Sequence, residues 1–340
     1  MARSLLWGRP MRRAPLAGLA SSCLVLLSAS AWATLPAADA LLAAVGYSPE
    51  EIATIEAGSI VRRETPGAGD RDLTIGYAFF VKATPAALNK QLSEGVLQAI
   101  DPNALATATL SGESSVGAFA KLKLQPDTSS RVKRYQSASP GADLNLSSAE
   151  LAEFNELPAT TPAIEHQLRL ALLARYRAYR AKGLWGIVDY DRGDGKVRSP
   201  GDELTAVMNT IPLQEYAPRA WAAMLNYPAS KVPGSHEVFR WEQFKVSGVP
   251  TIALTHGLSM ASGDAFVVLQ RQFYVSEGFN CEQAIVALLP ADGGTVVVFS
   301  NHTSTDKVEG FAGGIKRSIG RGIVAGQLET LFARLQKRAR

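Results

Sequence analysis

The stretch that decides the fold runs from Glu237 to Thr303, where five apolar, β-branched segments follow one another. They are EVFRWEQFKV (237–246), PTIALTHGLSM (250–260), AFVVLQRQFYV (265–275), EQAIVALL (282–289) and GTVVVFSNHT (294–303). Short turns containing Gly, Pro or Asp-Gly-Gly separate them, a pattern typical of consecutive hairpins. The sequence therefore predicts an antiparallel meander in the second half of the chain.

A long C-terminal helix is predicted after the meander, although its first half, GGIKRSIGRGIVAGQ (313–327), holds five glycines. Each glycine inside a helix costs about 1 kcal/mol relative to alanine. Small residues recur every four positions and therefore form one row on the helix, beside a row of isoleucines. This row allows either close packing on the sheet or space for an apolar ligand between helix and sheet. The predicted ligand-cavity residues are Gly314, Ser318, Gly322, Gly326, Ile319 and Ile323.

The first half of the chain predicts both strands and helices. LTIGYAFFVKA (73–83) is a predicted strand, and Thr84-Pro85 is a typical start for a short helix after it. FAKLKLQ (119–125) alternates apolar and charged residues, which predicts a half-exposed strand with RVKRYQSA (131–138) as a plausible partner.

The middle of the chain is predicted to be helical. Helices are expected at 162–182, ending before Gly183, and within SPGDELTAVMNTI (199–211) and APRAWAAMLNY (217–227). The order of elements predicts an α+β fold, with helices on one side of an antiparallel sheet. We expect residues 34–340 to form a single domain with a helical insertion at about 145–230.

The end of the meander and the start of the terminal helix carry a resemblance to a known fold. RQFYVSEGFNCEQAIVALLP (271–290), followed by GGTVVVFSNHTSTDKVEGFAGGIKRSIGR (293–321), resembles uncharacterised exported bacterial proteins with the START-like, or helix-grip, fold. In that fold an antiparallel sheet wraps around a long C-terminal helix. The resemblance implies a cavity for a lipid or another hydrophobic small molecule, since START-like proteins mostly enclose such ligands.

The N-terminus has the pattern of an export signal. Four arginines among the first 13 residues precede the apolar, small-residue run APLAGLASSCLVLLSASAWA (14–33), which ends in an A-x-A cleavage pattern at 31–33. The alternative, a transmembrane anchor, is disfavoured by the Ser, Gly and Ala content of this run. We therefore expect residues 1–33 to be a cleaved signal peptide and the mature protein to lie in the periplasm, without a stable membrane span.

Removal of the signal changes the charge of the protein. The whole chain carries 35 basic and 31 acidic residues, but the first 33 residues hold four arginines and no acid. The mature chain is thus neutral, which argues against a nucleic-acid partner. Only Cys281 remains after cleavage, so an internal disulfide is excluded. We expect a monomer.

A serine hydrolase is the alternative function that the sequence suggests. Gly257-Leu258-Ser259-Met260-Ala261 lies one residue from the G-x-S-x-G pattern, and His302 follows downstream. A nucleophile elbow requires a helix after the serine, whereas the segment after Ser259 is a predicted strand. A hairpin serine is the favoured interpretation, and no catalytic residue is assigned.

Other polar motifs have ordinary structural explanations. DYDRGDGKVRSPGDEL (189–204) departs from the spacing of a calcium loop, and the four histidines do not follow zinc-site spacing. Asp306 or Thr305 is expected to cap the terminal helix. The sequence predicts no metal and no cofactor. It leaves three hypotheses: an exported, non-catalytic protein that binds a hydrophobic small molecule or lipid, a hydrolase using Ser259 and His302, and a structural or interaction protein without a ligand.

Overall fold

The computed structural model describes residues 34–124, 128–308 and 313–338, and it describes side chains of the last segment only at 320, 322 and 324–338. The predicted signal peptide lies outside the described residues. Contacts divide the chain after Trp32, and all described elements belong to the unit Ala33–Arg340. The strands are β1 (Val61–Arg63), β2 (Asp72–Val81), β3 (Ala104–Leu110), β4 (Tyr190–Gly193), β5 (Lys196–Arg198), β6 (His236–Val246), β7 (Val249–Ser262), β8 (Ala265–Val275), β9 (Cys281–Ala291) and β10 (Gly294–Ser304).

The helices are distributed before, between and after these strands. They are α1 (Ala38–Ala44), α2 (Pro49–Glu56), α3 (Pro85–Ser93), α4 (Val96–Ile100), α5 (Thr128–Gln136), α6 (Ser148–Asn155), α7 (Thr161–Lys182), α8 (Pro200–Thr210), α9 (Leu213–Tyr216), α10 (Pro218–Leu225) and α11 (Gly313–Arg338). Short 3-10 turns lie at Val116–Phe119, Gly183–Gly186 and Asp306–Val308. The fold is thus α+β, as the sequence predicted.

Eight strands form one antiparallel sheet in the order β1-β2-β10-β9-β8-β7-β6-β3. Strands β6 to β10 are consecutive neighbours, which confirms the predicted meander. The β6–β7 turn consists of Ser247 and Gly248, both with positive φ (49° and 83°), as a two-residue hairpin of matching twist requires. β2 lies beside β10, with β1 at its outer edge, and β3 lies beside β6 at the other end of the sheet. Strands from the first half of the chain thus flank the meander on both sides.

Helices cover both faces of the sheet. On the face that we call the inner face, Tyr77, Phe79 and Phe299 pack against Phe332 of α11. On the opposite, outer face, the α7 residue Tyr179 stacks on Phe273 with ring centroids 4.0 Å apart. Helices α8 and α10 pack on this outer face, and α1 and α2 pack on its β2 end. Helices therefore pack on both faces of the sheet, whereas the edge strand β3 is mostly exposed.

The helical middle of the chain is the covering layer of the outer face. Helices α5 to α10 and the hairpin β4–β5 lie between β3 and β6 in sequence. Helix α7 ends before Gly183, where φ is 57° and an added Cβ would lie 1.7 Å from the Tyr227 carbonyl oxygen. Glycine is required at this close approach.

The predicted strand pair at 119–125 and 131–138 is wrong. Residues 128–136 form helix α5, because Val132 and Tyr135 lie on one buried helical face. Leu122 and Leu124 are buried at alternating positions, but the Leu124 N–H donates to the carboxylate of Glu165 (3.1 Å) and not to a neighbouring strand. Besides β7, β6 pairs with β3, a strand that was not predicted from the sequence. Helices α1 and α2 were not predicted either.

Candidate ligand-binding cavity

The register of the sheet arranges the inner-face side chains in rows across β7, β8, β9 and β10. The first row is Thr255, Gln272, Glu282 and Thr303; the second is Gly257, Gln270, Ala284 and Asn301; the third is Ser259, Val268, Val286 and Phe299. Polar side chains fill the first row and large apolar ones dominate the third. The inner face is thus polar at one end and apolar towards the other.

A cavity of about 270 Å³ lies between this inner face and helices α4 and α11. Its apolar wall includes Val268, Val286 and Phe299 of the sheet, with Leu328 and Phe332 of α11 opposite them. The space is partly open to solvent, since lining residues such as Thr107 and His236 are exposed. A concave site lined mainly by large apolar side chains has the character of a ligand site.

Glu282 lies at the polar end of the cavity. Its Oε2 accepts hydrogen bonds from Asn301 Nδ2 (3.3 Å) and Thr303 Oγ1 (3.2 Å). Burial raises the pKa of this carboxyl from 4.5 to about 7; the two hydrogen bonds oppose the increase, and the nearby Glu242 carboxylate adds to it. No ion pair within 4.0 Å joins Glu282 to a basic side chain of the described residues.

Glu242 is the second carboxylate of the cavity, and its two oxygens have partners. Gln98 Nε2 of α4 donates to Oε1 (2.5 Å), and Thr255 Oγ1 donates to Oε2 (2.6 Å). Arg240, two residues earlier on β6, donates instead to the carbonyl oxygen of Ser93. These hydrogen bonds fix Glu242 against the sheet and connect α4 to the polar row.

Two amide oxygens of the cavity lining have no hydrogen-bond partner. They are Oε1 of Gln272, which is 7% exposed, and Oε1 of Gln98. Gln272 stands directly opposite Glu282 in the register of β8 and β9. Buried polar atoms are nearly always hydrogen-bonded, and an exception indicates an absent partner such as water or a ligand.

The small-residue row of α11 does not form the cavity wall where its residues are described. Gly322 and Gly326 are exposed, and an added Cβ would meet no atom within 4 Å. The glycine that faces the sheet is Gly320, whose added Cβ would lie 3.0 Å from Leu73 Cδ1. The cavity is lined by the helix face that contains Val324, as well as Leu328 and Phe332.

Of the predicted cavity residues, Gly322 and Gly326 therefore do not line this cavity, whereas other residues of the same helix do. Gly322 and Gly326 lie on the solvent side of the helix, where packing makes no demand for a larger side chain. The side chains of Gly314, Ser318, Ile319 and Ile323 lie outside the described residues.

Ser259 and His302 are not brought together. Ser259 lies on the inner face and donates to Asn89 Oδ1 (2.6 Å). His302 lies between two residues of β10 that line the cavity, so its side chain points to the outer face. There it is hydrogen-bonded to Asp72 Oδ2 (2.8 Å). A strand follows Ser259 in place of the helix of a nucleophile elbow.

The acidic segment 189–204 contributes to hydrogen bonds and ion pairs instead of a calcium loop. Part of it is the β4–β5 hairpin, and Glu203 accepts from Ser304 Oγ (2.6 Å) and pairs with Arg71 (2.9 Å). Asp306 accepts from Arg192 (2.8 Å) and Arg198 (2.7 Å), whereas Thr305 caps the short turn after β10. Asp306 thus anchors this hairpin to the end of β10. Within the described residues, no group of three or more His, Cys, Asp or Glu side chains could hold a metal ion.

Comparisons with known proteins add no relative: no family, no curated protein and no solved structure matches this chain. Over the part of the chain that the structure describes, no helix is both long enough and apolar enough to cross a membrane.

The polar residues of the first row were not predicted as site residues, because each of them lies among apolar residues in its strand. The sequence did contain a signal, because polar residues stand two positions apart on two strands: Gln270 and Gln272 on β8, and Asn301 and Thr303 on β10. In a sheet with one solvated face, such positions would be assigned to the solvent side. Here helices cover both faces, so these residues point into the protein.

Proposed function

We propose that this chain is an exported, non-catalytic protein that binds a hydrophobic small molecule or lipid between its sheet and α11. The observation that carries the proposal is the 270 Å³ cavity with its apolar wall. A cavity of about 150 Å³ lined by apolar side chains holds benzene. By proportion, this cavity has room for roughly ten heavy atoms, which is the size of a short amphiphile or of one end of a longer lipid.

The arrangement of elements supports a helix-grip fold as part of this proposal. An early strand, β2, is followed by the short helices α3 and α4, and the meander then leads back to pair beside β2. The long helix α11 comes last and packs on the inner face. Export is supported by the arginine-rich and apolar pattern of residues 1–33.

Binding in the cavity is tested with 1-octanol, a neutral ligand of about nine heavy atoms that matches the size estimated above. Isothermal titration calorimetry of the wild type should show saturable binding with a negative heat-capacity change, the signature of apolar burial. Ala284→Leu places three further carbons at the cavity wall. This variant should lose binding while its free energy of unfolding stays level or rises.

Ala287→Leu is the matched control, because Ala287 lies on the outer face of the same strand in a packed cluster. Overpacking should lower its free energy of unfolding by about 1–3 kcal/mol, and octanol binding should persist. Absence of saturable binding by the wild type, or equal loss of binding in both variants, would contradict the proposed function.

A further inference from the structure

Several hydrogen-bond acceptors at the polar end of the cavity receive no hydrogen bond from the described residues. Oε1 of Gln272 has no partner although this side chain is more than nine-tenths buried, and the structure gives no partner among the described residues for Oε1 of Glu282. Oε1 of Gln98 is a third such acceptor. The side-chain donors Asn301 Nδ2, Thr303 Oγ1 and Thr255 Oγ1 already bind the two carboxylates, as Gln98 Nε2 does. A ligand that brings donors to this end would satisfy the remaining acceptors.

The same end carries negative charge without a paired cation. Glu242 and Glu282 make no ion pair within 4.0 Å among the described residues. The guanidinium of Arg240 donates to the Ser93 carbonyl and attracts Glu242 from beyond ion-pair distance, so the carboxylate without a nearby cation is that of Glu282. Buried charges in proteins are normally paired with an opposite charge or hydrogen-bonded throughout. Glu282 is only partly exposed, and among the described residues its Oε1 has neither an opposite charge within 4.0 Å nor a hydrogen-bond donor.

The geometry points to a hydrophobic amine as the ligand, with its ammonium group between Glu282 and Gln272 and its carbon chain against Val268, Val286 and Leu328. This inference rests on the proposed function and specifies its ligand class. Side chains directly opposite on antiparallel strands have Cβ atoms about 5 Å apart, so one ammonium can contact both Glu282 and Gln272. An ammonium has only donors, which is what the free acceptors need. A carboxylate head group would meet two like charges.

The first test compares three ligands with the same chain: octylamine, 1-octanol and octanoate, titrated into the wild-type protein at pH 8. We expect octylamine to bind at least tenfold more tightly than octanol, and octanoate to bind more weakly than both. Octanol or octanoate binding as tightly as octylamine would overturn the amine inference and leave the proposed function standing. Failure of all three to bind would overturn both.

The second test removes the charge of Glu282. Glu282→Gln keeps an oxygen that accepts from Asn301 and Thr303, and should weaken octylamine binding about tenfold or more while changing octanol binding less than twofold. Glu113→Gln, an exposed site with the same change in net charge, should leave both affinities unchanged. The inference would be contradicted if Glu282→Gln and Glu113→Gln lost the same affinity for octylamine. It would also be contradicted if Glu282→Gln lost as much affinity for octanol as for octylamine. The three-ligand comparison needs no variant and decides the matter if Glu282→Gln does not fold.

The pH dependence gives a third test. Octylamine binding should weaken as the pH falls from 8 to 5.5, because protonation removes the charge of Glu282, whose pKa is about 7. The other charged or titratable side chains of the described cavity lining are Glu242, Arg240, Asp101, His236 and Lys245. The described α11 residues that line the cavity are uncharged. The Glu282→Gln variant should lose most of the pH dependence, and a variant with an unchanged pH profile would contradict the assignment to Glu282.

Discussion

Glu282→Gln should make the protein more stable at pH 8, although it removes a residue of the proposed site. The carboxyl has a pKa of about 7 in the folded protein and about 4.5 when unfolded, so the folded state binds the proton more tightly. The stability that this proton contributes is fully present below about pH 4.5 and is lost as the pH rises through about 7. A difference of about 2.5 pH units corresponds to about 3 kcal/mol.

Urea unfolding of the wild type and Glu282→Gln at pH 5 and pH 8 measures this effect. Glutamine stays neutral, so the free energies of unfolding should agree within about 1 kcal/mol at pH 5, and the variant should be more stable by about 3 kcal/mol at pH 8. Burial also lowers the pKa of His256, which removes stability below about pH 6.5. That contribution is common to both proteins and cancels in the difference.

Glu113→Gln is the control for net charge, and its stability should follow the wild type at both pH values. A Glu282→Gln variant that is equally or less stable than the wild type at pH 8 would refute the reasoning. That result would mean that the carboxylate of Glu282 is well solvated or paired, and the cavity would then have no uncompensated charge for a ligand to bind.

Three further predictions concern the terminal helix, Ser259 and the N-terminus. Gly322→Ala and Gly326→Ala should each raise the free energy of unfolding by about 0.5–1 kcal/mol, because both sites are exposed and open. Gly320→Ala should raise it less, since the added Cβ would press on Leu73 of β2. Urea unfolding of the three variants measures the difference. Ser259 should not be labelled by a fluorophosphonate probe in the folded protein, and labelling abolished by unfolding would restore the hydrolase hypothesis. Intact-mass analysis of exported protein should show a chain that begins at Thr34, and retention of residues 1–33 would contradict the export signal.

The architecture could be predicted from the sequence where local patterns agree with the fold. The five segments of the meander are long, apolar and separated by turn residues, and they form β6 to β10 in consecutive order. The prediction of a helix at 162–182 that ends before Gly183 also holds, since α7 runs from Thr161 to Lys182. Strand β3, ALATATL, was missed because its alanines have low strand propensity. It is held in the sheet by pairing with β6, a contact that is distant in sequence.

The site could not be predicted to the same extent, because it depends on which side of each element faces inward. Glu282 and Gln272 are ten residues apart in sequence and become neighbours only through the register of β8 and β9. The spacing of Gly322 and Gly326 identified a face of α11 but could not tell whether that face meets the sheet or the solvent. The cavity lies on the face that carries Leu328.

Methyl NMR spectroscopy during titration with octylamine and with 1-octanol tests the central claim most directly, since it shows where a ligand binds. With either ligand, shifts should concentrate on the methyl groups of Val268, Val286 and Leu328, which line the cavity. Val267 and Leu289, buried on the outer face of the sheet, should change little. Saturable shifts confined to the cavity methyls are the result that this account predicts. No shift with either ligand, or shifts centred on the outer-face residues, would contradict it.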